Sequence, residues 1–140
     1  MMQSGQAFAQ RAEPPLPDSG GNFNSSQTMG NRGLYEVRYW LVVEVDRNGT
    51  NCRDPRNGMQ PLIKLFYGDL LETDTPVRGG LQQAVERHNG KPWLRIRLPN
   101  WRIPAKKDPG SSACLIRANS RFIAPVNGSD LWEMTNENSR

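Results

Sequence analysis

Between an apolar run and a strand-like segment lies the octapeptide Thr50-Asn51-Cys52-Arg53-Asp54-Pro55-Arg56-Asn57. The run before it is Trp40-Leu41-Val42-Val43, and the segment after it, from Leu62 to Tyr67, ends at Gly68. Asn, Asp and Pro favour turns, whereas Leu, Ile, Phe and Tyr favour strands, and glycine interrupts them. A short extended piece, a polar loop and a glycine-terminated strand are typical of the opening of a small β-barrel.

Alternation of apolar and polar side chains predicts further strands. It extends from Leu34 to Val45 and is clearest from Trp93 to Leu98. In the second segment Leu94, Ile96 and Leu98 share one side, and Trp93, Arg95 and Arg97 share the other. Short extended segments at 69–73, 114–117 and 124–126 bring the total to five or six strands. We therefore expect an all-β fold, a small barrel.

One segment departs from this period. Leu81, Ala84, Val85 and His88 recur at the spacing of one helical face, and Asn89-Gly90 is typical of a helix end. The sequence therefore predicts one short helix between Gly80 and Asn89, inserted into the barrel. On that helix His88 is a packed or C-terminal residue rather than a ligand.

Charge and composition divide the chain into three parts. Residues 1–33 are rich in Pro, Gly, Ser and Asn and carry two basic and two acidic groups. Residues 34–126 carry fifteen basic and nine acidic groups, and residues 127–140 carry one and three. We expect a disordered N-terminal tail over 1–33, a folded domain over 34–126 and a polar C-terminal tail over 127–140. The basic middle either binds an anionic partner or is a solvated surface.

The segment Ala7-Phe8-Ala9 has the small-x-small pattern of a secretory cleavage site. No apolar region of the required length precedes it, so it is either the remnant of a trimmed signal peptide or a chance match. No segment approaches the ~20 apolar residues of a membrane helix, so we expect no transmembrane segment.

The sequence offers no convincing catalytic or metal-binding set. His88 is the only histidine, and Cys52 and Cys114 are the only cysteines, with no CxxC motif. These are too few ligands for zinc, and a thiol hydrolase would need a cysteine activated by a nearby histidine. The carboxylates of Asp69, Glu72, Asp74 and Glu86 show no pairing across a cleft. We therefore predict no enzyme, no cofactor and no metal.

The order of these signals resembles the bacterial SH3-like family (SH3b, SH3 type 3). The resemblance covers about residues 36–126. The opening strand and loop of the family are matched by 50–57, its second strand by Leu62, Leu65 and Gly68, and the apolar residue that follows by Leu71. Its tryptophan-containing strand is matched by Trp93-Leu94-Arg95-Ile96. Its closing strand and 3₁₀ turn are matched by Cys114-Leu115-Ile116 and by Asn119 to Ile123.

The resemblance implies a small SH3-like barrel in which the two cysteines lie on neighbouring strands. Cys52 would be on the opening strand and Cys114 on the closing strand, so a disulfide is expected between residues 62 positions apart. Such a bond requires an oxidising compartment, and the expected location is therefore periplasmic or secreted. The alternative is two buried, reduced cysteines that pack as small hydrophobic side chains.

The predicted binding site is an aromatic and cationic strip on Trp93, Arg95 and Arg97. If the barrel closes as in the family, the residues that border the same groove are Arg53, Arg56, Tyr67 and Trp101. The alternative is that Trp93 covers the outer core and the arginines are solvated. An exported, non-catalytic module that recognises a cell-envelope peptide, peptidoglycan or an acidic protein is the expected function. The alternatives are an accessory subunit of a larger assembly and a basic barrel that binds single-stranded nucleic acid.

Overall fold

The computed structural model describes residues 13–30, 33–74, 83–98 and 113–126, and all regular secondary structure in these ranges is β. The strands are β1 Gln27–Gly30, β2 Gly33–Glu36, β3 Tyr39–Val42, β4 Thr50–Asp54, β5 Gln60–Leu65, β6 Leu70–Glu72, β7 Val85–His88, β8 Lys91–Arg97, β9 Ala113–Arg117 and β10 Ile123–Val126. The all-β class predicted from the sequence is therefore confirmed.

The strands form three open antiparallel sheets rather than the single closed barrel that the sequence predicts. Their orders are β1-β2, β10-β3-β6 and β5-β4-β9-β8-β7. The predicted first strand from Leu34 to Val45 is divided between two of them, since Gly33–Glu36 pairs with β1 whereas Tyr39–Val42 pairs with β10 and β6. An isolated bridge between Thr73, just after β6, and Ile96 of β8 connects the two larger sheets.

The predicted helix between Gly80 and Asn89 is wrong over the part that the structure describes. Residues 85–88 form β7, which pairs antiparallel with residues 91–94 of β8. Asn89 and Gly90 have φ values of 52° and 76°, as the two central residues of a type I′ hairpin turn require. Asn-Gly therefore closes a hairpin here instead of ending a helix, and His88 is a strand residue.

The apolar core lies between the inner faces of the larger sheets. Trp40 and Val42 of β3, Ile116 of β9 and Ile123 of β10 are fully buried in it. The predicted inner side of β8 is confirmed, since Leu94 and Ile96 are fully buried and Leu98 is 6% exposed.

A disulfide joins Cys52 of β4 to Cys114 of β9 within this core, as the sequence resemblance predicted. The two Cα atoms are 5.5 Å apart and both side chains are fully buried. β4 and β9 are adjacent in the sheet and are registered by the pair Arg53–Leu115, so the two cysteines lie diagonally on the core side of this pair. The bond is compatible with an extracellular or periplasmic protein.

The N-terminal segment takes part in the fold from well before residue 34. Phe23 is 3% exposed and packs edge-on against Trp40, with ring centroids 5.1 Å apart. Ser26 is fully buried, and its N–H and hydroxyl both donate to Oε1 of Gln83. This segment, predicted as part of a tail, thus contributes to the core. Residues 1–12, with the segment Ala7–Ala9, and the predicted C-terminal tail lie outside the described residues.

Candidate binding face

The five-stranded sheet has a core side and a second side that we call the outer face. β8 places Trp93, Arg95 and Arg97 on it, opposite the buried Leu94 and Ile96. The pairing register extends it to the neighbouring strands. One row across the sheet is Glu86–Trp93–Arg117, and the next is Arg95–Leu115–Arg53. The outer face is defined by these six residues together with His88 and Arg97.

Three side chains of the outer face form one ion-paired cluster. Nε and Nη2 of Arg95 both donate to Oε1 of Glu86, at 3.0 and 2.8 Å. Nε2 of His88 lies 2.6 Å from the other carboxylate oxygen. Burial raises the pKa of Glu86, but the hydrogen bonds from His88 and Arg95 outweigh burial and hold this pKa below its ordinary value. One carboxylate is therefore shared between two cationic or donor side chains.

A second carboxylate borders the face beside the exposed Arg97. Oδ1 of Asp74 lies 3.7 Å from Nε of Arg97, whose side chain is 64% exposed. Ion pairs of this kind at the surface stabilise a fold by less than about 1 kcal/mol. Arg97 therefore keeps much of its capacity to interact with a ligand.

Arg117 stacks on Trp93 in the centre of the face. Its Cζ lies 5.7 Å from the ring centroid, and its Nη2 donates to Oδ1 of Asn22 at 3.0 Å. Nε of Arg117 and Nε1 of Trp93 are buried and have no hydrogen-bond acceptor. Burial lowers the pKa of the Arg117 guanidinium, as expected for a cation removed from water without a counter-ion.

Arg53 lies on the adjacent strand and also donates to a neutral oxygen. Its Nη1 donates to the backbone carbonyl of Met59 at 3.1 Å, across the β4–β5 hairpin. Among the described residues, neither Arg53 nor Arg117 has a carboxylate partner. Within the described ranges, the face thus holds two guanidinium groups that are bonded to neutral oxygens rather than to carboxylates.

The structure brings together four of the seven residues predicted to bind a ligand: Arg53, Trp93, Arg95 and Arg97. Arg56 is in the turn of the β4–β5 hairpin, where its N–H donates to Oδ1 of Asp54 at 2.9 Å. Tyr67, which is 67% exposed, follows the other end of that hairpin, in a turn bonded to β3. Tyr67 therefore does not border the outer face. Trp101 lies outside the described residues.

Sequence reasoning missed Arg117, Leu115, Glu86 and His88 as members of this face. Alternation in Cys114-Leu115-Ile116-Arg117 could have revealed the first two, because a core cysteine places Leu115 and Arg117 on the opposite side. Glu86 and His88 were assigned to a helix, and the helical period hides the face that they share in a strand.

The described residues bear on three kinds of function: nucleophilic catalysis by cysteine, metal binding and membrane insertion. Both cysteines of the chain are in the disulfide, so neither provides a thiolate for nucleophilic attack. In the described ranges, no group of three or more His, Cys, Asp or Glu side chains is placed to hold a metal ion. The same ranges contain no helix with the length and hydrophobicity needed to span a membrane.

Comparison with known proteins finds no matching family model, no matching curated protein and no matching solved structure. Function is therefore inferred from the outer face itself.

Proposed function

We propose that this protein is a non-catalytic, exported binding module that recognises an acidic peptide segment of the cell envelope through its outer face. The ligand is a peptidoglycan peptide or an acidic stretch of a partner protein. The similarity of the chain to the bacterial SH3-like family is part of the same proposal and is consistent with an extended peptide as ligand.

The observation that carries the proposal is the charge of the outer face. Among the residues that the structure describes, four arginines (Arg53, Arg95, Arg97 and Arg117) share it with the carboxylate of Glu86, and that of Asp74 lies at its border. The partly exposed ring of Trp93 adds apolar surface among them. A guanidinium group forms two parallel hydrogen bonds with a carboxylate, and arginine and tryptophan supply much of the energy at protein interfaces.

Export is supported by the disulfide. A bond between two fully buried cysteines of a chain this size is typical of oxidising compartments and rare in the cytosol. The bond also holds the strand of Arg53 against the strand of Arg117, so it fixes the arrangement of the face.

Binding of immobilised peptidoglycan and of an oligoglutamate peptide tests the proposal, with single-stranded oligo(dT) as the competing ligand. We expect binding to the acidic peptide that weakens as salt is raised from about 0.05 to about 0.5 M, because exposed ion pairs are screened. Arg97→Gln should weaken it severalfold. Arg47→Gln removes the same charge from a turn away from the face and should leave affinity unchanged.

Absence of binding to both peptidoglycan and the acidic peptide would overturn the proposal. Tighter binding to oligo(dT) than to the acidic peptide would favour a nucleic-acid ligand instead.

A second candidate function, as an accessory subunit of an assembly, is favoured by a separate observation. Val45, Tyr67 and Leu70 are 81%, 67% and 42% exposed, and Tyr67 and Leu70 lie three positions apart in the turn that leads into β6. Exposed apolar side chains near one another are a feature of protein interfaces. Stable co-purification of a partner that is lost on Tyr67→Ser, with no binding to acidic peptide, would select this function.

A further inference from the structure

We infer that Pro14-Pro15-Leu16-Pro17 is a proline-rich recognition segment, and that its partner is a second protein with an aromatic-lined groove. The segment lies before β1, between Glu13 and Asp18. The inference uses none of the residues of the outer face, so it is independent of the proposed binding of an acidic peptide.

Proline geometry favours one extended conformation for this segment. The rings of Pro14, Pro15 and Pro17 hold φ at about −65°. Glu13, Pro14 and Leu16 each precede a proline, which disfavours the helical region for them. The described residues contain no cis peptide bond, and the segment has no regular secondary structure. These constraints together favour a polyproline II helix, which has no internal hydrogen bonds.

The exposure of the four side chains follows the period of this helix. A polyproline II helix has three residues per turn, so Pro14 and Pro17 lie along one edge, Leu16 along a second and Pro15 along the third. Pro15 is partly buried, whereas Pro14, Leu16 and Pro17 are exposed. The edge of Pro15 thus faces the protein, and the other two edges face the solvent.

Both ends of the segment are bonded to the fold. The hydroxyl of Thr28 on β1 donates to the carbonyl of Glu13. At the other end, Oδ1 of Asp18 accepts from the N–H groups of Gly20 and Asn22, each at 2.9 Å, and the N–H of Asp18 donates to the carbonyl of Asn22 at 2.8 Å. The segment is therefore ordered before a partner binds, and less conformational entropy is lost on binding.

Leu16 is the residue that indicates a partner. At 84%, it is the most exposed large apolar side chain of the described residues, so it contributes little to the core. Burial of such a side chain in a complex is favourable. Pro14 and Pro17 are spaced as in Pro-x-x-Pro ligands, which bind in grooves lined by aromatic rings. The exposed edges of the segment have the shape and chemistry that such a groove recognises.

Binding of the full chain to immobilised SH3, WW and EVH1 domains, which are known to have such grooves, tests the inference. We expect saturable binding to at least one domain, and its loss when the groove aromatics of that domain are changed to alanine. Leu16→Ala and Pro17→Ala should each weaken binding about tenfold or more, because each removes a side chain that enters the groove. Val45→Ala is the matched control, since Val45 is 81% exposed in the loop between β3 and β4.

Two further measurements separate recognition from folding. Leu16→Ala should leave the melting temperature unchanged, so its loss of binding would not come from unfolding. Thr28→Val removes the hydroxyl that holds Glu13 and should weaken binding severalfold, because the segment is then less ordered before binding. An affinity of Thr28→Val equal to that of the wild type would overturn the role of this hydrogen bond in ordering the segment.

The remaining outcomes decide whether the segment is a ligand and which partner it has. A wild-type chain that binds none of the domains, or binding that Leu16→Ala and Pro17→Ala leave unchanged, would overturn the inference. Self-association that Leu16→Ala abolishes in analytical ultracentrifugation, without binding to any domain, would make a second copy of the chain the partner and overturn the assignment to another protein. Binding of oligoglutamate should be the same for Leu16→Ala and the wild type, so either proposal can fail without the other.

Discussion

At the scale of single residues, Glu36 is the most unusual ionisable group. It lies on β2, and both of its carboxylate oxygens are buried without a hydrogen-bond donor. Burial raises its pKa to about 7, from an ordinary value of 4.5. The Ser26 hydroxyl, which acts in the opposite direction, donates its proton to Gln83 and leaves the carboxyl group unpaired.

This shift predicts a pH dependence of stability. Because the pKa is higher in the folded state than in the unfolded state, the protonated carboxyl stabilises the fold at low pH. That contribution is lost as the pH rises from about 4.5 to about 7. Glu36→Gln stays neutral, so it should raise the melting temperature at pH ~8 by more than at pH ~4.5. Glu72→Gln, at the surface beside Arg38, controls for removal of a charge. An equal effect of Glu36→Gln at both pH values would contradict the prediction.

Two glycines with positive φ provide a matched pair for a second residue-scale prediction. Gly49 and Gly58 have φ values of 74° and 61°. A Cβ at Gly49 would lie 2.6 Å from the carbonyl oxygen of Leu65 and 2.9 Å from the ring of Phe66, whereas a Cβ at Gly58 would meet nothing within 4 Å. Gly58→Ala should cost about 1 kcal/mol from backbone conformation alone, and Gly49→Ala about 2–3 kcal/mol or more. Urea unfolding measures both; equal losses would show that the Gly49 turn adapts.

At the scale of structural elements, the N-terminal segment supplies a core residue from outside any regular strand. Phe23 is 3% exposed against Trp40, whereas Leu16 in the same segment is 84% exposed. Phe23→Ala should lower the free energy of unfolding by about 3 kcal/mol, the usual cost of deleting a buried aromatic ring. Leu16→Ala should change it by less than about 0.5 kcal/mol. Denaturant unfolding of both variants is the test. If Phe23→Ala leaves the free energy of unfolding unchanged, the N-terminal segment does not pack on the core in solution.

Sequence patterns identify strands here when both faces of a strand have distinct chemistry. The alternation of Leu94 and Ile96 with Trp93 and Arg95 gave both the strand and its core side. The prediction of an inserted helix was wrong for a local reason, because Asn89-Gly90 is compatible both with a helix end and with a hairpin turn. Only the pairing of β7 with β8 decides between them.

Other parts of the fold and of the site depend on contacts that no local pattern contains. Phe23 is a single aromatic residue in a polar stretch, and its burial depends on Trp40. Arg117 joins the outer face only because β9 packs between β4 and β8. The residues on β8 were therefore predictable from the sequence, whereas the placement of Arg53 and Arg117 on the same face required the sheet order.

At the scale of the whole molecule, the disulfide connects the β4–β5 hairpin to the rest of the five-stranded sheet. The ladder between β4 and β9 has a single registered pair, Arg53–Leu115, whereas β8 and β9 are registered over five. The Cys52–Cys114 bond therefore supplements the weakest junction of this sheet. It also holds β4, which carries Arg53, against β9, which carries Arg117, so stability and the proposed ligand binding depend on the same bond.

Loss of the Cys52–Cys114 disulfide should therefore reduce both the stability of the fold and the affinity for an acidic peptide. Closing a separation of 62 residues stabilises a fold by about 4 kcal/mol in the chain-entropy model, so the double variant Cys52→Ala/Cys114→Ala should lose about that much in urea unfolding. Its affinity for acidic peptide should fall more than that of Arg47→Gln, because the β4–β5 hairpin is no longer held.

Since both sulfur atoms are fully buried, reductant alone should leave native wild-type protein oxidised, and reduction should become rapid only when denaturant is added. Rapid reduction under native conditions, or a double variant as stable as the wild type, would contradict a disulfide that holds the sheet together.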